Sequence, residues 1–354
     1  MGRSGAVVEA FIFFSSGTTG PPKLIRHSHR SLIAHLRQVS SIMNDNSMTY
    51  QFPRLYIGDR IYGVLPYFHS GGLITVFCML FQGATVVINK KWNDKEFLQV
   101  IQDFKITAIN IVPTIMTFLL KSPLVDAYDL SSLRLIYIGA AKCDETDLRR
   151  LKHHLPKLRD VIQIFGMTET GMLIFLTPSA NRALSSVGRA MPGVEAKVIN
   201  ESGEQLKTNQ VGQLLLKSPT MMQGLIDLSF IIPLDKWFET GDLCYIDDEG
   251  FVYIVGRTKD MIKVRSWQVN PCEIEEAIKT NVAGVEDCAV VGVNDDVNGQ
   301  LPKAFIVGVV EPSKVMKFVK DTFISYKHLC GVEIVDAIPR TSSGKIMRSS
   351  LLEK

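Results

Sequence analysis

The sequence predicts an α/β protein with a parallel sheet between layers of helices, then a small β-barrel-like segment, and finally a smaller α+β unit. Three changes of pattern support this prediction. Strand and helix patterns alternate from about residue 60 to 180, and short β runs separated by Gly and Pro fill residues 186–256. Helices and strands alternate again after Gly256. We therefore expect one division over residues 1–258, α/β to about residue 185, and a second over residues 259–354.

Strands and helices alternate clearly in the first division. Residues 83–88 predict a strand, and apolar residues at helical spacing over 97–104 predict a helix. The next strand is predicted at 108–112, where Pro113 is placed to open a helix. Residues 133–138 predict a further strand. This alternation is typical of a parallel sheet that is covered on both faces.

The remaining elements are shorter and follow a different order. The β runs at 195–199, 213–217 and 251–255 predict an antiparallel sheet or a small barrel. In the last division a mixed order of elements predicts a compact α+β unit. Its predicted elements are helices at 273–278 and 314–323 and strands at 289–293, 304–310 and 332–335.

Composition excludes some classes of protein. The 354 residues are 46% hydrophobic and 21% charged, which is ordinary for a globular protein. The net charge of +3 and the lack of a basic run argue against a nucleic-acid partner. The longest apolar stretch, residues 73–81, is too short to span a membrane, and the C-terminus lacks a peroxisomal signal of the Ser-Lys-Leu type. We therefore expect a cytoplasmic protein.

Cysteine and histidine spacing gives no metal site. The six cysteines are scattered without a Cys-x-x-Cys pair, which predicts reduced and mostly buried thiols. His27, His29 and His35 are close in sequence, but they have no cysteine or acidic partner at a fixed offset. We therefore interpret these three as surface and helix-cap histidines.

A loop of small and hydroxyl residues is the strongest local motif. An apolar run at 10–14 precedes it, and a strand that enters such a loop presents bare backbone N–H groups to anionic oxygens. The spacing does not fit a Walker A loop, and a Ser/Thr/Gly loop alone is usually a surface turn. The candidate phosphate contacts are Ser15, Ser16, Gly17, Thr18, Thr19, Gly20 and Lys23.

This loop is similar to the phosphate-binding motif of adenylate-forming enzymes, the superfamily of acyl-CoA synthetases, 4-coumarate-CoA ligases and beetle luciferases. One departure is Leu24, which stands where the family has Gly. Further resemblances follow in the family's order over nearly the whole chain, at residues 65–72, 139–141, 163–169, 237–242, 256–260 and 339–348. The resemblance also implies that the part of the large domain preceding the phosphate loop is absent, which would expose apolar sheet surface.

The resemblance implies a role for each matching residue. His69 would line the acyl pocket, Glu169 would help to hold Mg²⁺, and Lys259 would be the hinge of a mobile C-terminal lid domain. Lys345 would be the catalytic lysine. Its long flexible side chain would let it extend from the lid domain to the reacting atoms. The remaining residues implied to contact ATP or AMP are Gly139, Ala140, Ala141, Phe165, Gly166, Met167, Thr168, Asp242 and Arg257.

By the same resemblance, the reaction is attack of a small-molecule carboxylic acid on ATP, with Mg²⁺, to give acyl-AMP and pyrophosphate. Coenzyme A would then take the acyl group, and Lys263 and Gln268 match residues of that second step. Ser266 departs from the family's Gly on the same face. Two alternatives stay open: a catalytically impaired nucleotide- or acyl-binding remnant, and a luciferase-like adenylating oxygenase. The acid and the oligomeric state are not predicted.

Overall fold

The computed structural model describes residues 8–14, 23–44, 51–141, 143–155, 157–171, 173–179, 183–225, 236–265, 267–341 and 344–352. These residues contain seven α-helices, namely α1 (His29–Asn44), α2 (Ser70–Phe81), α3 (Asp94–Asp103), α4 (Pro113–Lys121), α5 (Glu145–His154), α6 (Pro271–Asn281) and α7 (Pro312–Thr322). None of the helices in this part of the chain has the length and apolar character needed to cross a bilayer.

Nineteen strands complete the described elements. The strands before residue 200 are β1 (Glu9–Phe14), β2 (Leu24–Ser28), β3 (Arg60–Gly63), β4 (Thr85–Ile88), β5 (Ala108–Ile111), β6 (Leu135–Ile138), β7 (Asp160–Phe165), β8 (Phe175–Leu176), β9 (Arg189–Ala190) and β10 (Glu195–Ile199). The later strands are β11 (Gly212–Lys217), β12 (Gly224–Leu225), β13 (Phe238–Ile246), β14 (Val252–Arg257), β15 (Ile262–Val264), β16 (Trp267–Val269), β17 (Val285–Asp295), β18 (Gly299–Gly308) and β19 (Gly331–Ile334).

The largest sheet has the order β4-β3-β5-β6-β7-β8-β9. Its first five strands are parallel, and β8 and β9 continue it antiparallel. From β3 the chain moves outward to β4 and then returns to the other side of β3 as β5. The strand order therefore reverses between β3 and β5, which is where open α/β sheets form a crevice for ligands.

Helices cover both faces of this sheet, as the alternation of strand and helix predicts. Ile109 and Ile111 of β5 pack in one core with apolar residues of α3, α4 and α5. Asn110, between them, faces the other way and donates to Thr75 of α2 at 3.2 Å. Because successive strand residues alternate in direction, a strand buried on both faces needs apolar or hydrogen-bonded residues throughout.

The predicted strand at 133–138 begins two residues later, at Leu135. The Leu133 amide donates to the Leu130 carbonyl at 3.0 Å, so this residue belongs to the preceding turn. The predicted strand at 83–88 likewise begins two residues later, at Thr85. The other predicted strands of the first division are confirmed. Pro113 also opens α4 as predicted, because proline has no N–H to lose at the first position of a helix.

The β-rich segment forms a four-stranded sheet in the order β10-β11-β13-β14. All its described pairs are antiparallel. Of the two arrangements predicted here, the described strands therefore form the open sheet. A separate small sheet joins β12, β2 and β1, and its β1 edge leaves Ile12 and Phe14 exposed at 48% and 58%.

The residues after the Thr258–Asp260 turn form a mixed sheet of five strands, β15 to β19, with α6 and α7 packed against it. Its core contains Ile274 and Ile278 of α6 and Val315 and Val319 of α7, all fully buried. The Asn270 side chain caps α6 through the Cys272 amide at 3.0 Å and donates to Val255 of β14 at 2.7 Å. It thus connects this unit to the antiparallel sheet.

The cysteines agree with the prediction of reduced and mostly buried thiols. All six are free, four are buried, Cys272 is half-buried and Cys330 is exposed. Burial raises the pKa of the Cys78 thiol to about 12, so it stays protonated at neutral pH.

Candidate active site

Several motifs of the sequence meet at one edge of the large sheet. Parallel strands place their carboxyl ends along the same edge, so the loops after β3, β5, β6 and β7 lie near one another. The connections after β3, β6 and β7 carry His69, Ala140 and Thr168, in that order. The edge therefore brings together residues that are as much as 99 positions apart in sequence, from His69 to Thr168.

A short 3₁₀ turn, Thr168–Thr170, follows β7 and is held from three sides. The Thr168 carbonyl accepts from His27 Nε2 at 2.6 Å, and the Thr170 carbonyl accepts from Thr220 Oγ1 at 2.7 Å. The Glu169 carbonyl accepts from the Met222 amide at 2.8 Å. Each carbonyl of the turn thus has a donor from outside it, which fixes the direction of the side chains.

The Thr168 hydroxyl is also positioned. Ser70, the first residue of α2, is buried and donates its hydroxyl to Thr168 Oγ1 at 3.3 Å. Because Ser70 is the donor, the Thr168 hydroxyl keeps its own hydrogen for another acceptor, such as a phosphate oxygen. Ser70 lies inside a recognised motif, but the sequence did not single it out.

Asp242 has a buried carboxylate that is only half satisfied. Oδ1 lies 3.0 Å from Arg257 Nε, and Oδ2 has no hydrogen-bond partner within the described residues. Burial raises the pKa of Asp242, and the positive charges of Arg257 and Lys345 oppose that rise. An orphaned buried acceptor is costly, so a ligand that donates a hydroxyl there would be stabilised.

Lys345 lies among these groups although it comes from the C-terminal unit. Burial and the charge of Arg257 lower its pKa, and the carboxylates of Asp242 and Glu169 oppose that change. Lys345 also contributes to lowering the pKa of His69, after burial. Its ammonium group makes no ion pair within the described part of the chain. The structure therefore places a half-buried cation within electrostatic reach of two carboxylates and a histidine.

The loop that carries Lys345 is a tight hairpin. The Thr341 amide donates to the Lys345 carbonyl at 2.8 Å, and the Gly344 amide donates to the Thr341 carbonyl at 2.8 Å. Gly344 has φ of +82°, a left-handed conformation that favours glycine. Arg340 donates to the Gly344 carbonyl at 3.0 Å and to Asp287 at 2.7 Å. These bonds hold the lysine in place on the sheet.

Arg348 is the anchor behind this hairpin. It donates to both carboxylate oxygens of Glu275 and to the Val290 carbonyl, the latter at 2.7 Å. Its Nε also lies 3.7 Å from Asp260, in the turn where the C-terminal unit begins. The ion pair with Glu275 raises the pKa of Arg348 against the effect of burial. Arg348 thus connects the lysine hairpin to both α6 and the Thr258–Asp260 turn.

The predicted adenine-side residues lie at the same sheet edge. Gly139 is buried, and a Cβ there would lie 2.5 Å from the Ile164 carbonyl, so only glycine fits. Ala140 has φ of +72°, a strained value for a residue with a Cβ. The half-buried Phe165 ring packs on Phe175 with centroids 5.6 Å apart. Exposed Gly166, half-buried Met167 and half-buried Ala141 complete this rim.

Lys263 and Gln268 lie elsewhere. They face each other across β15 and β16, and both are exposed. Gln268 Nε2 donates to Glu201 Oε1 at 2.8 Å, in the turn after β10. Lys259 is exposed in the Thr258–Asp260 turn, where burial and then Arg257 lower its pKa. The described bonds of Lys263 and Gln268 thus go to Gln300 and Glu201, not to the group around Lys345.

Some predicted residues fall outside the described structure. These are the phosphate-loop residues Ser15, Ser16, Gly17, Thr18, Thr19 and Gly20, and also Ser266. Lys23 is described and lies exposed, immediately before Leu24 opens β2. The predicted contacts of Lys23 with phosphate therefore stay a prediction.

The interpretation of two histidines as surface or cap residues is wrong. His27 and His35 are 2% and 1% exposed, because the buried side of β2 and α1 packs toward the sheet. Burial lowers the pKa of both, that of His35 to about 4. Only His29, at the start of α1, is exposed.

Replacing His35 with leucine should remove an acid-sensitive step in stability. The folded pKa of about 4 lies below the ordinary 6.5, so the unfolded chain binds the extra proton between these values. As pH falls through this window, the wild type should lose up to about 3 kcal/mol more stability than His35→Leu, which keeps only the contribution of buried His27 and other groups. Urea unfolding at pH 7 and pH 4.5 checks this, and an unchanged pH dependence would contradict it.

The donor set suits Mg²⁺ better than a metal held entirely by protein. Among the described residues, no group of three or more His, Cys, Asp or Glu side chains is placed to hold a metal. Glu169 supplies a single carboxylate beside the candidate phosphate site. Mg²⁺ is commonly bound by one or two carboxylates, several waters and substrate phosphates, so this sparse set is compatible with it.

Known proteins match this chain over almost its whole length. The AMP-binding enzyme family matches residues 9–226, and the C-terminal domain of AMP-binding enzymes matches residues 273–345. The chain therefore belongs to the AMP-binding enzyme family, which confirms the resemblance to adenylate-forming enzymes. The described α/β architecture agrees with this membership.

Three relatives define the comparison. Probable 4-coumarate–CoA ligase 3 of Dictyostelium discoideum is 34% identical over 353 residues, which cover 97% of this chain and 62% of that protein. ATP-bound MatB from Rhodopseudomonas palustris has a TM-score of 0.86 and 28% identity, and the match covers 99% of this chain and 69% of that one. MenE from Bacillus subtilis with ATP and magnesium has a TM-score of 0.79 and 26% identity, with 96% and 69% covered.

Proposed function

We propose that this chain carries the ATP-dependent activation of a small-molecule carboxylic acid, giving acyl-AMP and pyrophosphate, with Mg²⁺. The observation that carries the proposal is the position of Lys345 beside Asp242, Glu169 and His69. The family membership and the similarity to ATP-bound MatB support it. Because the chain spans only 62% of the Dictyostelium relative, the activity of a whole protein is part of the proposal.

The chemistry follows from charge. A carboxylate and a triphosphate repel each other, so positive groups aimed at the reacting phosphate should lower the barrier. Lys345 supplies a cation at the end of a long flexible side chain, and Thr168 supplies a hydroxyl donor. Asp242 Oδ2 is the acceptor for a ribose hydroxyl, with Arg257 beside it, and His69 orients the acid. Mg²⁺, held in part by Glu169, would neutralise phosphate charge.

We propose that coenzyme A accepts the acyl group in a second step, using the face that carries Lys263 and Gln268. The name of the Dictyostelium relative, a 4-coumarate–CoA ligase, supports this step. Because Gln268 bonds to Glu201 and not to the group around Lys345, the second step would follow a rotation of residues 259–354 about Lys259. Rotation would break the bond from Gln268 to Glu201, which is exposed and therefore weak.

Exchange of labelled pyrophosphate into ATP tests the first step directly. The full chain, with ATP, Mg²⁺ and a panel of fatty and aromatic acids, should show exchange that depends on at least one acid. Exchange in the absence of acid is the background control. If no acid supports exchange while the chain binds ATP, the result would instead favour a nucleotide-binding protein that has lost catalysis.

Replacing Asp242 with asparagine should weaken ATP binding more than it slows the chemical step. The change replaces the acceptor that faces the proposed ribose site and also breaks the ion pair with Arg257. A hydrogen bond to a charged group contributes about 1.5–3 kcal/mol, so KM for ATP should rise about 10- to 150-fold. Initial rates of exchange against ATP concentration measure this. An unchanged KM would remove Asp242 from the nucleotide site.

A further inference from the structure

Three buried polar groups lie near the candidate site without a place in the proposed chemistry: His27, His35 and Asn110. Asn110 donates to Thr75 at 3.2 Å, and His35 interacts with the Gln38 side chain of its own helix. His27 is different, because its ring is bonded to the turn that carries Thr168 and Glu169. It comes from another sheet, 141 residues away along the chain.

The hydrogen bond settles which ring nitrogen of His27 carries the proton. A carbonyl oxygen can only accept, so Nε2 donates to the Thr168 carbonyl at 2.6 Å. Nδ1 then holds a lone pair and lies 3.5 Å from Ser31 Oγ, whose own hydrogen goes to the Ser28 carbonyl at 2.9 Å. Burial lowers the pKa of His27, which keeps this neutral form dominant at neutral pH.

His27 makes the shorter of the two described hydrogen bonds to the Thr168 carbonyl. The only other described donor to the Thr168 carbonyl is the Gly171 amide, at a longer distance of 3.3 Å. Without His27 the carbonyl would lose its shorter bond in a buried setting, and the turn would rotate to find another donor. A rotation moves the Thr168 hydroxyl and the Glu169 carboxylate together, because both leave the same three-residue turn.

We propose that His27 is a positioning residue for adenylation: its Nε2–H holds the Thr168–Thr170 turn so that Thr168 and Glu169 meet the phosphate and its Mg²⁺. This inference rests on the proposed function. His27 touches neither substrate nor metal and acts through the Thr168 carbonyl. Residues that orient the groups contacting a metal commonly change metal affinity or activity by about 10- to 100-fold when replaced.

The test compares three variants of the full chain. His27→Leu removes the donor, whereas His27→Gln keeps an N–H near the position of Nε2. His35→Leu is the matched control, since it makes the same replacement at a buried histidine eight residues away, whose described hydrogen bond is to Gln38 and not to the turn. Acid-dependent pyrophosphate exchange is measured against Mg²⁺ concentration and, separately, against acid concentration.

We expect His27→Leu to raise the Mg²⁺ concentration for half-maximal exchange about 10-fold and to leave KM for the acid unchanged. His27→Gln should recover most of the loss, and His35→Leu should match the wild type. A purely structural role predicts a different pattern, in which both leucine variants lower stability and neither changes the Mg²⁺ requirement. That pattern, or a glutamine variant as impaired as the leucine variant, would overturn the proposal.

A second measurement needs no turnover. Hydrogen exchange of the amides of Thr170 and Gly171, both bonded within the turn, should be faster in His27→Leu than in the wild type and slow again in His27→Gln. If the wild type shows no acid-dependent pyrophosphate exchange, the proposed function fails. The hydrogen-exchange measurement still tests whether His27 positions the turn. Equal amide exchange in all three proteins would refute that role.

Discussion

Lys345→Ala should lower the rate of acid-dependent pyrophosphate exchange by about two to three powers of ten. The half-buried ammonium group lies beside Asp242, Glu169 and His69 and has no ion-pair partner within the described residues. Its charge is therefore available to the reacting phosphate. Burial and Arg257 lower its pKa, whereas a bound triphosphate would favour the charged form.

Lys317→Ala is the matched control for this prediction. Lys317 lies on α7 in the same unit, pairs with Asp321 at 2.9 Å and is 77% exposed, so its loss should leave exchange unchanged. Lys345→Arg should stay impaired, because a planar guanidinium does not replace a compact ammonium group in a tight site. Pyrophosphate exchange by Lys345→Ala at the wild-type rate would refute the assignment, since the reaction would then not need the charge of Lys345.

Arg348→Met should lower the free energy of unfolding of the C-terminal unit by about 3–5 kcal/mol. The replacement leaves the Glu275 carboxylate, 7% exposed, in a buried position without its cationic partner. It also removes the donor to the Val290 carbonyl. Urea unfolding followed by Trp267 fluorescence, in a Trp92→Phe and Trp237→Phe background, measures the change, since Trp267 stacks on Tyr326 in this unit.

The double replacement Arg348→Met with Glu275→Leu is the informative control. With both charges removed, the uncompensated carboxylate is gone, and much of the loss should be recovered. Leucine would still leave the Val290 amide without the Glu275 acceptor at 2.7 Å, so recovery should be incomplete. A single replacement that costs under about 1 kcal/mol would show that solvent satisfies Glu275 and that the pair is not structural.

Local patterns predicted the order of elements and most motifs well. A strand or a helix is recognised by its own apolar period, as for the strand at 108–112 and the helix that begins at Pro113. The motifs that contain Asp242 and Lys345 are contiguous in sequence, so their residue types could be read directly. The division at Lys259 and the role of each candidate residue remain proposals.

Contacts between distant segments could not be predicted in the same way. Neighbouring residues in the sequence do not show that His27 bonds to Thr168, that Ser70 donates to the Thr168 hydroxyl, or that Thr220 caps the Thr170 carbonyl. The two buried histidines were misinterpreted for this reason. Their burial depends on how β2 and α1 pack toward the large sheet, and no short pattern in either element reveals that partner.

The amino-acid order alone was sufficient for the elements, the family resemblance and the candidate residues, because these depend on periodicity and on short strings. Tertiary structure decided which of these residues meet. Parallel strands bring their loops to one edge of the large sheet. The hydrogen bonds of Arg348 hold the C-terminal hairpin in the position from which Lys345 extends toward that edge. Such meetings depend on packing energies summed over the whole chain, and a local segment carries too little of that sum to predict them.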